Sequence, residues 1–339
     1  MLNNSENENT SIPNGKEGLI SKISEKTKSY HKETIYGIGD DSAVLNYHEK
    51  RTLVSTDIFV DGIHFDLMYT PLKHLGYKVV VASISDIIAM NATPKHITVS
   101  MAVSNVLMQA QILEIYEGIH HACEEYQLDL IGGDITSSKK GVSICVTSMG
   151  IANEEDIVYR KGARPTDLLC VTGNLGGAYM GLQLLEREKS IFQSTGVQPK
   201  LEGNDYVLQR QLKPTARLEL LNYFKTKEIK PTSMIDLSTG LATELINLCN
   251  SSNMGCEIFE ERIPIEDDTR KIAAEFGIDP TIAALNGGDD FEILFTIELS
   301  NYEKIKNNDF FSIIGSINPI DKGTNIVMSD GNIIPIKTN

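Results

Sequence analysis

The sequence has no run of about 18 consecutive apolar residues, the length that a membrane-spanning helix requires. Its first residues, MLNNSENENTSIPNGKEG, lack the basic and apolar segments of a secretory signal. The five cysteines include no CxxC pair, so we expect buried thiols in a reducing compartment, without disulfides or a zinc site. These absences predict a cytoplasmic protein that does not act on membranes, with a polar, disordered tail at residues 1–17.

Basic residues are also scarce, because 31 Lys and Arg stand against 46 Asp and Glu, for a formal net charge of −15. Nucleic acids and anionic membranes are bound by basic surfaces, so neither is expected as the main partner. An acidic protein still binds polyphosphates when divalent cations lie between its carboxylates and the phosphate groups. The length of 339 residues, with 41% hydrophobic residues, is typical of two globular domains.

Several catalytic signatures are missing as well. The sequence has no GxSxG elbow and no obvious Cys–His pair, which argues against acyl transfer by a nucleophilic side chain. It has no GxGxxG fingerprint after a strand, which argues against a dinucleotide-dependent enzyme. The GNLGG segment at 173–177 precedes a predicted helix but has no following Lys-Ser or Lys-Thr, so helix packing is a better explanation for it than phosphate binding.

Short strands and helices interleave in the first half of the chain. Alternating apolar residues predict strands at Thr52–Thr56, Ile97–Val103 and Val142–Met149. Apolar residues three and four positions apart predict helices at His74–Met90 and 112–126. This order is typical of a domain that mixes helices with a sheet.

We assign the first half to an N-terminal domain over residues 18–153 and the second half to a C-terminal domain over residues 154–339. Residues 189–204 lack periodicity and predict a surface loop. Ser238 follows a predicted strand and is expected to cap a helix that extends to about Ser251. The other predicted elements are helices near 178–188, 206–211 and 215–224 and strands at Leu168–Thr172, Met234–Leu237, Cys256–Glu260, Phe291–Ile297, Phe311–Ile317 and Ile333–Ile336.

Aspartates beside small residues are the most informative feature of the sequence. Carboxylates suit Mg²⁺ or Ca²⁺ better than Zn²⁺ or copper, and no cluster of His or Cys competes for a metal. A single Asp at a strand end is more often a turn former or a helix cap, so only convergence in the fold would make these residues a metal–phosphate site. The aspartates are Asp40, Asp41, Asp57, Asp86, Asp134 and Asp236, and the glycines that would let backbone approach a phosphate are Gly37, Gly39, Gly132 and Gly133.

A local basic cluster stands out in this acidic chain. Arg160 and Arg164 lie in YRKGARPTD, which is either a phosphate clamp or a surface loop. His64 is either a substrate contact or a structural residue, and the sequence leaves both open.

Seven motifs in order make the chain resemble the thiamine-monophosphate kinase family, within the aminoimidazole ribonucleotide synthetase superfamily. The resemblance extends from about Gly37 to Phe295, with similar spacing throughout. The motifs are GIGDDSAVL, STDIFVDGIHFDL, LGYKVVVASISDIIAMNATP, LIGGDITSS, YRKGARPTDLLCVTG, SMIDLSTG and LNGGDDFEILFT.

The resemblance implies a two-domain α+β subunit whose N-terminal sheet pairs with that of a second copy to form a homodimer barrel, with ATP in a cleft near the interface. It also implies ATP-dependent phosphorylation of thiamine monophosphate to thiamine diphosphate by direct in-line transfer, with several Mg²⁺ ions and no phosphoenzyme. The acceptor is a phosphate oxygen whose second pKa is about 6, so no strong general base is needed.

The resemblance also implies the residues of the site. The implied metal ligands are Asp41, Ser55, Thr56, Asp57, Asp86, Asp134 and Asp236. ATP would meet Tyr116, Gly133, Asp134, Arg160 and Ser238, and thiamine monophosphate would contact His64 and Asp289.

The sequence departs from the family pattern in three places. Thr239 stands where the family usually has a second aspartate, and Asp289 replaces a glutamate. The sequence ends at Asn339 without the aromatic segment that the family uses near the thiamine ring. Two alternatives therefore stay open: a degenerate paralogue that binds nucleotide or thiamine phosphate without turnover, and another ATP-using enzyme of the superfamily. A selenophosphate enzyme would need a reactive Cys near the N-terminal glycines, yet none precedes Cys123.

Overall fold

The computed structural model describes residues 15–36, 38 and 44–337, so the predicted site residues Asp40 and Asp41 and the glycines Gly37 and Gly39 lie outside the described part. The first half of the chain contains three helices and six strands within these residues. In chain order they are α1 (Gly15–Lys26), β1 (Thr34–Tyr36), β2 (Val44–Leu45), β3 (Arg51–Val60), α2 (Leu72–Ile88), β4 (Thr93–Val103), α3 (Gln109–Tyr126), β5 (Asp129–Ser137) and β6 (Val142–Ala152).

Within its described residues, the second half adds seven α-helices and seven strands. In chain order they are β7 (Leu168–Thr172), α4 (Gly177–Thr195), α5 (Asp205–Leu212), α6 (Glu219–Lys227), β8 (Ser233–Leu237), α7 (Leu241–Ser252), β9 (Met254–Phe259), α8 (Asp267–Phe276), α9 (Pro280–Asn286), β10 (Glu292–Ile297), α10 (Tyr302–Ile305), β11 (Phe311–Pro319), β12 (Thr324–Val327) and β13 (Ile333–Pro335). None of the helices in the described part of the chain is both long and apolar enough to span a membrane.

The first sheet has four strands in the order β3-β6-β4-β5, so β3 and β5 form its two edges. Only the β4–β5 pair is parallel. Side chains alternate between the faces of a strand, and on β3 Leu53 and Phe59 are buried while Val54 and Ile58 remain 62% and 59% exposed. One face of the sheet therefore packs on helices, and the other presents apolar side chains at the surface.

Helix α2 is apolar around most of its circumference, with Val79, Val80 and Val81 all fully buried. A helix of this kind is stable only when other elements cover it on several sides. It packs on β3 and β6, on α3, and also on β8 and α5 of the second half. Because of this position, α2 connects the two halves of the chain.

Two glycines let α2 and α3 touch backbone to backbone. A Cβ atom on Gly76 would lie 1.9 Å from the carbonyl oxygen of Ile115, and one on Gly118 would lie 1.9 Å from the carbonyl oxygen of Lys73. Only glycine permits this separation, since every other residue would push the helices apart.

The second sheet has seven strands in the order β13-β12-β9-β11-β7-β10-β8, all antiparallel except the β12–β9 pair. Phe224, Phe295 and Phe311 pack edge to face on it, with ring centroids 5.0–5.2 Å apart. The cysteines Cys123, Cys145, Cys170, Cys249 and Cys256 are all free, and all but Cys145 are buried, as expected for unpaired thiols.

The structure corrects several predicted boundaries. Helix α4 continues to Thr195 and so includes the first part of the predicted loop, because Lys189 pairs with Asp66 at 2.7 Å and hydroxyl groups satisfy the last turn. Helix α7 begins at Leu241 after Gly240, and Ser238 makes no cap, because a turn through Gly240 at φ +109° separates strand from helix. Helix α1 includes residues 15–17, which were predicted to belong to the disordered tail.

Replacing Gly118 with alanine tests the close helix contact. We expect Gly118→Ala to lower the free energy of unfolding by about 1–3 kcal/mol, because the added methyl group forces α2 and α3 apart. Urea denaturation measures this change. Gly132→Ala is the matched control, since its Cβ would lie 3.9 Å from the nearest side-chain atom. Equal stability of the two variants would show that the helices separate without loss of packing.

Candidate active site

Two carboxylates meet where α2 of the first half touches β8 of the second. Asp86 on α2 accepts a hydrogen bond from Ser55 Oγ at 2.5 Å. Its neighbour Ser85 donates from Oγ to Asp236 Oδ2 on β8 at 3.4 Å. Adjacent residues of one helix thus connect β3 on one side with β8 on the other.

Asp57 adds a third carboxylate from β3. Side chains two residues apart on a strand share a face, so Asp57 lies on the same side of the sheet as Ser55. Its Oδ2 atom is buried and has no hydrogen-bond partner among the described residues. An unpaired buried carboxylate oxygen is unfavourable unless a cation or a proton compensates it.

The electrostatics of the three carboxylates reflect this crowding. Burial raises the pKa of Asp236 well above its ordinary value, and the charges of Asp86 and Glu244 raise it further. Burial also raises the pKa of Asp86 and of Asp57, and for Asp57 the Asp86 charge adds to the effect. Carboxylates that disfavour each other's ionisation form a site that a cation would stabilise.

Arg160 provides positive charge at this site. The charge of its guanidinium acts to lower the pKa of both Asp86 and Asp236, against the effect of burial, so it lies near them. Its backbone carbonyl accepts a hydrogen bond from Ser233 Oγ on β8 at 2.6 Å, which fixes the loop. Arg164, the other arginine of this loop, forms an ion pair with Glu298 at 2.7 Å instead.

A cavity of about 620 Å³ opens onto these groups. Ser55, Asp86, Arg160 and Asp236 form its polar part. Apolar side chains form the remainder, namely Leu53, Val54, Ile87, Met90, Tyr159 and Met234. A polar end beside an apolar wall is typical of small-molecule sites.

Glu244 belongs to the site although sequence reasoning did not single it out. It lies in the first turn of α7, is only 5% exposed, and accepts hydrogen bonds from Thr239 Oγ1 at 2.5 Å and Asn247 Nδ2 at 3.0 Å. The Thr239 hydroxyl is therefore held by a carboxylate that also raises the pKa of Asp236. The only signal in the sequence was an acidic residue within an apolar helix.

Two predicted metal ligands do not join this cluster within one chain. Thr56 points to the opposite face of β3, where its Oγ1 lies 2.9 Å from Thr147 Oγ1. Asp134 lies on β5 at the other edge of the sheet, across two intervening strands. With neighbouring strands about 4.8 Å apart, the two edges are separated by roughly 14 Å.

Asp134 nevertheless has predicted ATP-binding residues as neighbours. Burial raises the pKa of Tyr116 on α3, and the charge of Asp134 raises it further, so the two side chains are close. A Cβ atom on Gly133 would lie 1.9 Å from the carbonyl oxygen of Val99, so only glycine fits there. The structure brings Tyr116, Gly133 and Asp134 together at the β5 edge.

The predicted substrate residues lie on two loops. Asp289 follows α9; its backbone N–H donates to the Ser238 carbonyl at 2.9 Å and its Oδ2 accepts from Lys78 Nζ at 2.8 Å. This contact places Asp289 and Ser238 beside the end of β8, which carries Asp236. His64 is exposed on the loop after β3, where its Nδ1 accepts from the Val60 N–H at 3.1 Å.

The N-terminus of α4, which follows the GNLGG segment, is already occupied by a protein carboxylate. The buried side chain of Asp290 accepts from the backbone N–H of Gly176 at 2.8 Å and of Ala178 at 3.4 Å. Arg210 also pairs with this carboxylate, at 3.5 Å. A Cβ atom on Gly176 would also lie 2.9 Å from the backbone nitrogen of Ala284, so the segment packs closely on α9, as the sequence favoured.

Comparisons with known proteins agree with this architecture. A family model described as AIR synthase related protein, N-terminal domain, matches residues 39–152. The structure of AaThiL complexed with AMPPCP and TMP has a TM-score of 0.75 and 28% identity and covers 96% of both chains. Thiamine-monophosphate kinase from Stenotrophomonas maltophilia K279a has a TM-score of 0.78 and 26% identity, covering 93% of this chain and 96% of that one. The predicted α+β fold is confirmed.

The similarity also holds at the level of sequence over most of the chain. The thiamine-monophosphate kinase of Bacillus subtilis (strain 168) is 33% identical over 292 residues, which cover 85% of this chain and 85% of that protein. The thiamine-monophosphate kinase of Aquifex aeolicus (strain VF5) is 30% identical over 299 residues, covering 88% and 90%. The chain belongs to the thiamine-monophosphate kinase family.

Proposed function

We propose that this protein transfers the γ-phosphoryl group of ATP to the phosphate of thiamine monophosphate, forming thiamine diphosphate, with the help of Mg²⁺. The observation that carries the proposal is the convergence of Asp57, Asp86 and Asp236 from three separate elements beside Arg160 and a cavity. The related AaThiL structure holds AMPPCP, an ATP analogue, together with TMP, which fits this pair of substrates.

The residues present fit a magnesium site. Asp57 has a buried oxygen without a partner among the described residues, and hard carboxylate oxygens are the ligands that Mg²⁺ prefers. Within the described part of the chain, no three His, Cys, Asp or Glu residues could hold a metal ion by themselves. This suits Mg²⁺, which usually binds one or two carboxylates together with water and substrate phosphates. Asp57, Asp86 and Asp236 would therefore bind Mg²⁺ ions with one or two carboxylates to each ion, and Asp41 remains a predicted ligand outside the described residues.

Bound Mg²⁺ would neutralise charge between the carboxylates and the two phosphorylated substrates. The chain itself then has three tasks. Arg160 would pair with nucleotide phosphate oxygens, since a guanidinium forms strong charge-assisted hydrogen bonds with them. Leu53, Ile87 and Met234 would exclude water from the cavity. No side chain needs to remove a proton, because the acceptor phosphate, with a second pKa of about 6, is mostly ionised near neutral pH.

A second copy of the chain would complete the site. Val54 and Ile58 leave an apolar surface on the outer face of the first sheet, and among the described residues no further strand pairs with either edge of this sheet. A barrel closed by two such sheets, with β3 of one copy beside β5 of the other, would bring Asp134 and Tyr116 of one chain toward Asp57 of its partner. This arrangement would explain why the predicted ligands lie at opposite edges of a single sheet.

One observation favours the alternative of a binder without turnover. Thr239 replaces a carboxylate that the family usually has, which removes an anionic ligand. Glu244, however, is held against Thr239 and supplies a buried carboxylate at this point of the site. We therefore favour the active enzyme.

The direct test of the proposed reaction is chromatographic. Incubation with ATP, Mg²⁺ and thiamine monophosphate should give thiamine diphosphate, and Asp86→Asn should reduce kcat by about 10²-fold or more, because the lost charge weakens phosphate alignment. The exposed Asp321→Asn is the control and should match the wild type. Nucleotide binding without product in the wild type would support the degenerate paralogue instead.

Removing charge from the cluster should stabilise the metal-free protein. The pKa of Asp236 is raised in the folded state, so its contribution to stability is fully present below the ordinary carboxyl pKa of about 4 and is lost as pH rises toward about 8. We expect the free energy of unfolding of Asp236→Asn to exceed that of the wild type by about 1–3 kcal/mol at pH 8, with little difference at pH 4. Urea denaturation at the two pH values measures this difference.

Magnesium should reverse the stability difference between Asp236→Asn and the wild type at pH 8. The wild type should gain stability from Mg²⁺ with nucleotide, whereas Asp236→Asn should gain less, because it has lost a ligand. An Asp236→Asn variant that is less stable than the wild type at pH 8 without metal would contradict the repulsion among the three carboxylates.

The composite site can be tested with mixed dimers. Chains that carry Asp57→Asn and chains that carry Asp134→Asn should each be inactive alone. If each site combines the two residues from different chains, mixing them should restore about a quarter of wild-type activity, because half of the dimers would contain one intact site. No recovery in dimers that are shown to have exchanged would contradict the composite arrangement.

A further inference from the structure

Lys78 is a buried cation on α2 that joins the two halves of the chain. Its side chain is only 6% exposed, and its Nζ donates to the Gln211 carbonyl at 2.9 Å and to Asp289 Oδ2 at 2.8 Å. A buried ammonium group requires such partners, because without them its removal from water is strongly unfavourable. Both acceptors belong to the second half of the chain, whereas α2 belongs to the first.

The loop that carries Asp289 has a conformation that its surroundings determine. Asp289 and Phe291 have φ values of +63° and +50°, a left-handed conformation that is unfavourable for residues other than glycine. The backbone N–H of Asp289 donates to the carbonyl of Ser238, directly after β8, at 2.9 Å. The N–H of Phe291 donates to the carbonyl at the end of β8 at 3.0 Å. The side chain of Asp290 between them is buried and pairs with Arg210.

The side chain of Asp289, unlike the buried side chain of Asp290, is open to solvent on one side. It stays 38% exposed, with Lys78 as its charged partner. A carboxylate that is half open to solvent and held on one side by a buried cation is well placed to contact a ligand. The direction of this carboxylate therefore depends on Lys78.

Helix α2 sets the distance between Lys78 and the carboxylate cluster. Asp86 follows Lys78 by a little over two helical turns, which is about 12 Å along the axis. All residues from Val79 to Ser85 are buried, so the helix cannot shift without disturbing the core on several sides. Asp86 at one position and the Lys78–Asp289 pair at the other are thus held at a fixed separation.

We propose that Lys78 is a positioning residue that holds Asp289 for the phosphate acceptor and sets the distance of that acceptor from the nucleotide. The inference rests on the proposed function and adds to it a residue for which neither the sequence motifs nor the comparisons assign a role. The ammonium group also offsets the charge of Asp289, so that a monoanionic or dianionic acceptor meets less repulsion at this loop.

The test compares Lys78→Met with Lys73→Met in the complete protein. Lys73 lies on the same helix and pairs with Glu117 at 2.8 Å on the exposed side, so its loss removes an equal charge away from the site. Lys78→Met should raise KM for thiamine monophosphate about tenfold, because a misdirected Asp289 weakens acceptor binding, and should change KM for ATP less than about twofold. Lys78→Arg should restore most of the affinity.

A double-mutant cycle separates positioning from general stability. If Lys78 acts through Asp289, Lys78→Met should have an effect of less than about twofold in an Asp289→Asn background. The inference would be overturned if Lys78→Met raised KM for thiamine monophosphate by the same factor with and without Asp289→Asn. It would also be overturned if Lys78→Met changed KM for ATP as much as KM for thiamine monophosphate. The same cycle measured as thiamine monophosphate affinity by calorimetry does not require turnover.

Failure of the proposed function and failure of this inference look different. A wild-type protein that forms no thiamine diphosphate refutes the reaction, and the calorimetric cycle then still decides whether Lys78 directs Asp289. An active wild type whose Lys78→Met variant behaves like Lys73→Met refutes the role of Lys78 alone.

Discussion

Repulsion among carboxylates that are half-buried or buried is the constraint on which the rest of this structure depends. Asp57, Asp86 and Asp236 come from β3, α2 and β8, and each has a raised pKa because burial and its neighbours disfavour the charged form. Such a cluster persists only if the surrounding packing over-determines it. The buried segment Val79–Ser85 of α2 provides that packing, and binding of metal ions and phosphates would supply further stabilisation.

Helix α2 carries residues of the candidate site and also joins the two halves of the chain. Close contact through Gly76 and Gly118 fixes α2 against α3, while Lys78 contacts Asp289 of the second half and Asp86 lines the cavity together with Asp236. In the proposed reaction, one rigid element would therefore set the distance between the nucleotide and the phosphate acceptor. Phosphoryl transfer depends mainly on alignment and charge neutralisation, so a rigid spacer serves it directly.

Much of the fold and part of the site could be predicted from the sequence, for physical reasons. Local periodicity defines β4, β6, α2 and α3, and the spacing of Ser55 and Asp57 on a strand fixes their common face. Other features depend on contacts between distant segments. The position of Asp134 follows from strand order, and the roles of Glu244 and Lys78 follow from partners that no local pattern indicates.

A crystal structure with Mg²⁺, AMPPCP and thiamine monophosphate would show whether these carboxylates bind the metal. We predict metal ions between the nucleotide phosphates and Asp57, Asp86 and Asp236, with Arg160 turned toward a phosphate and the acceptor beside Asp289. Nucleotide bound elsewhere, with these carboxylates in contact only with solvent or one another, would contradict it.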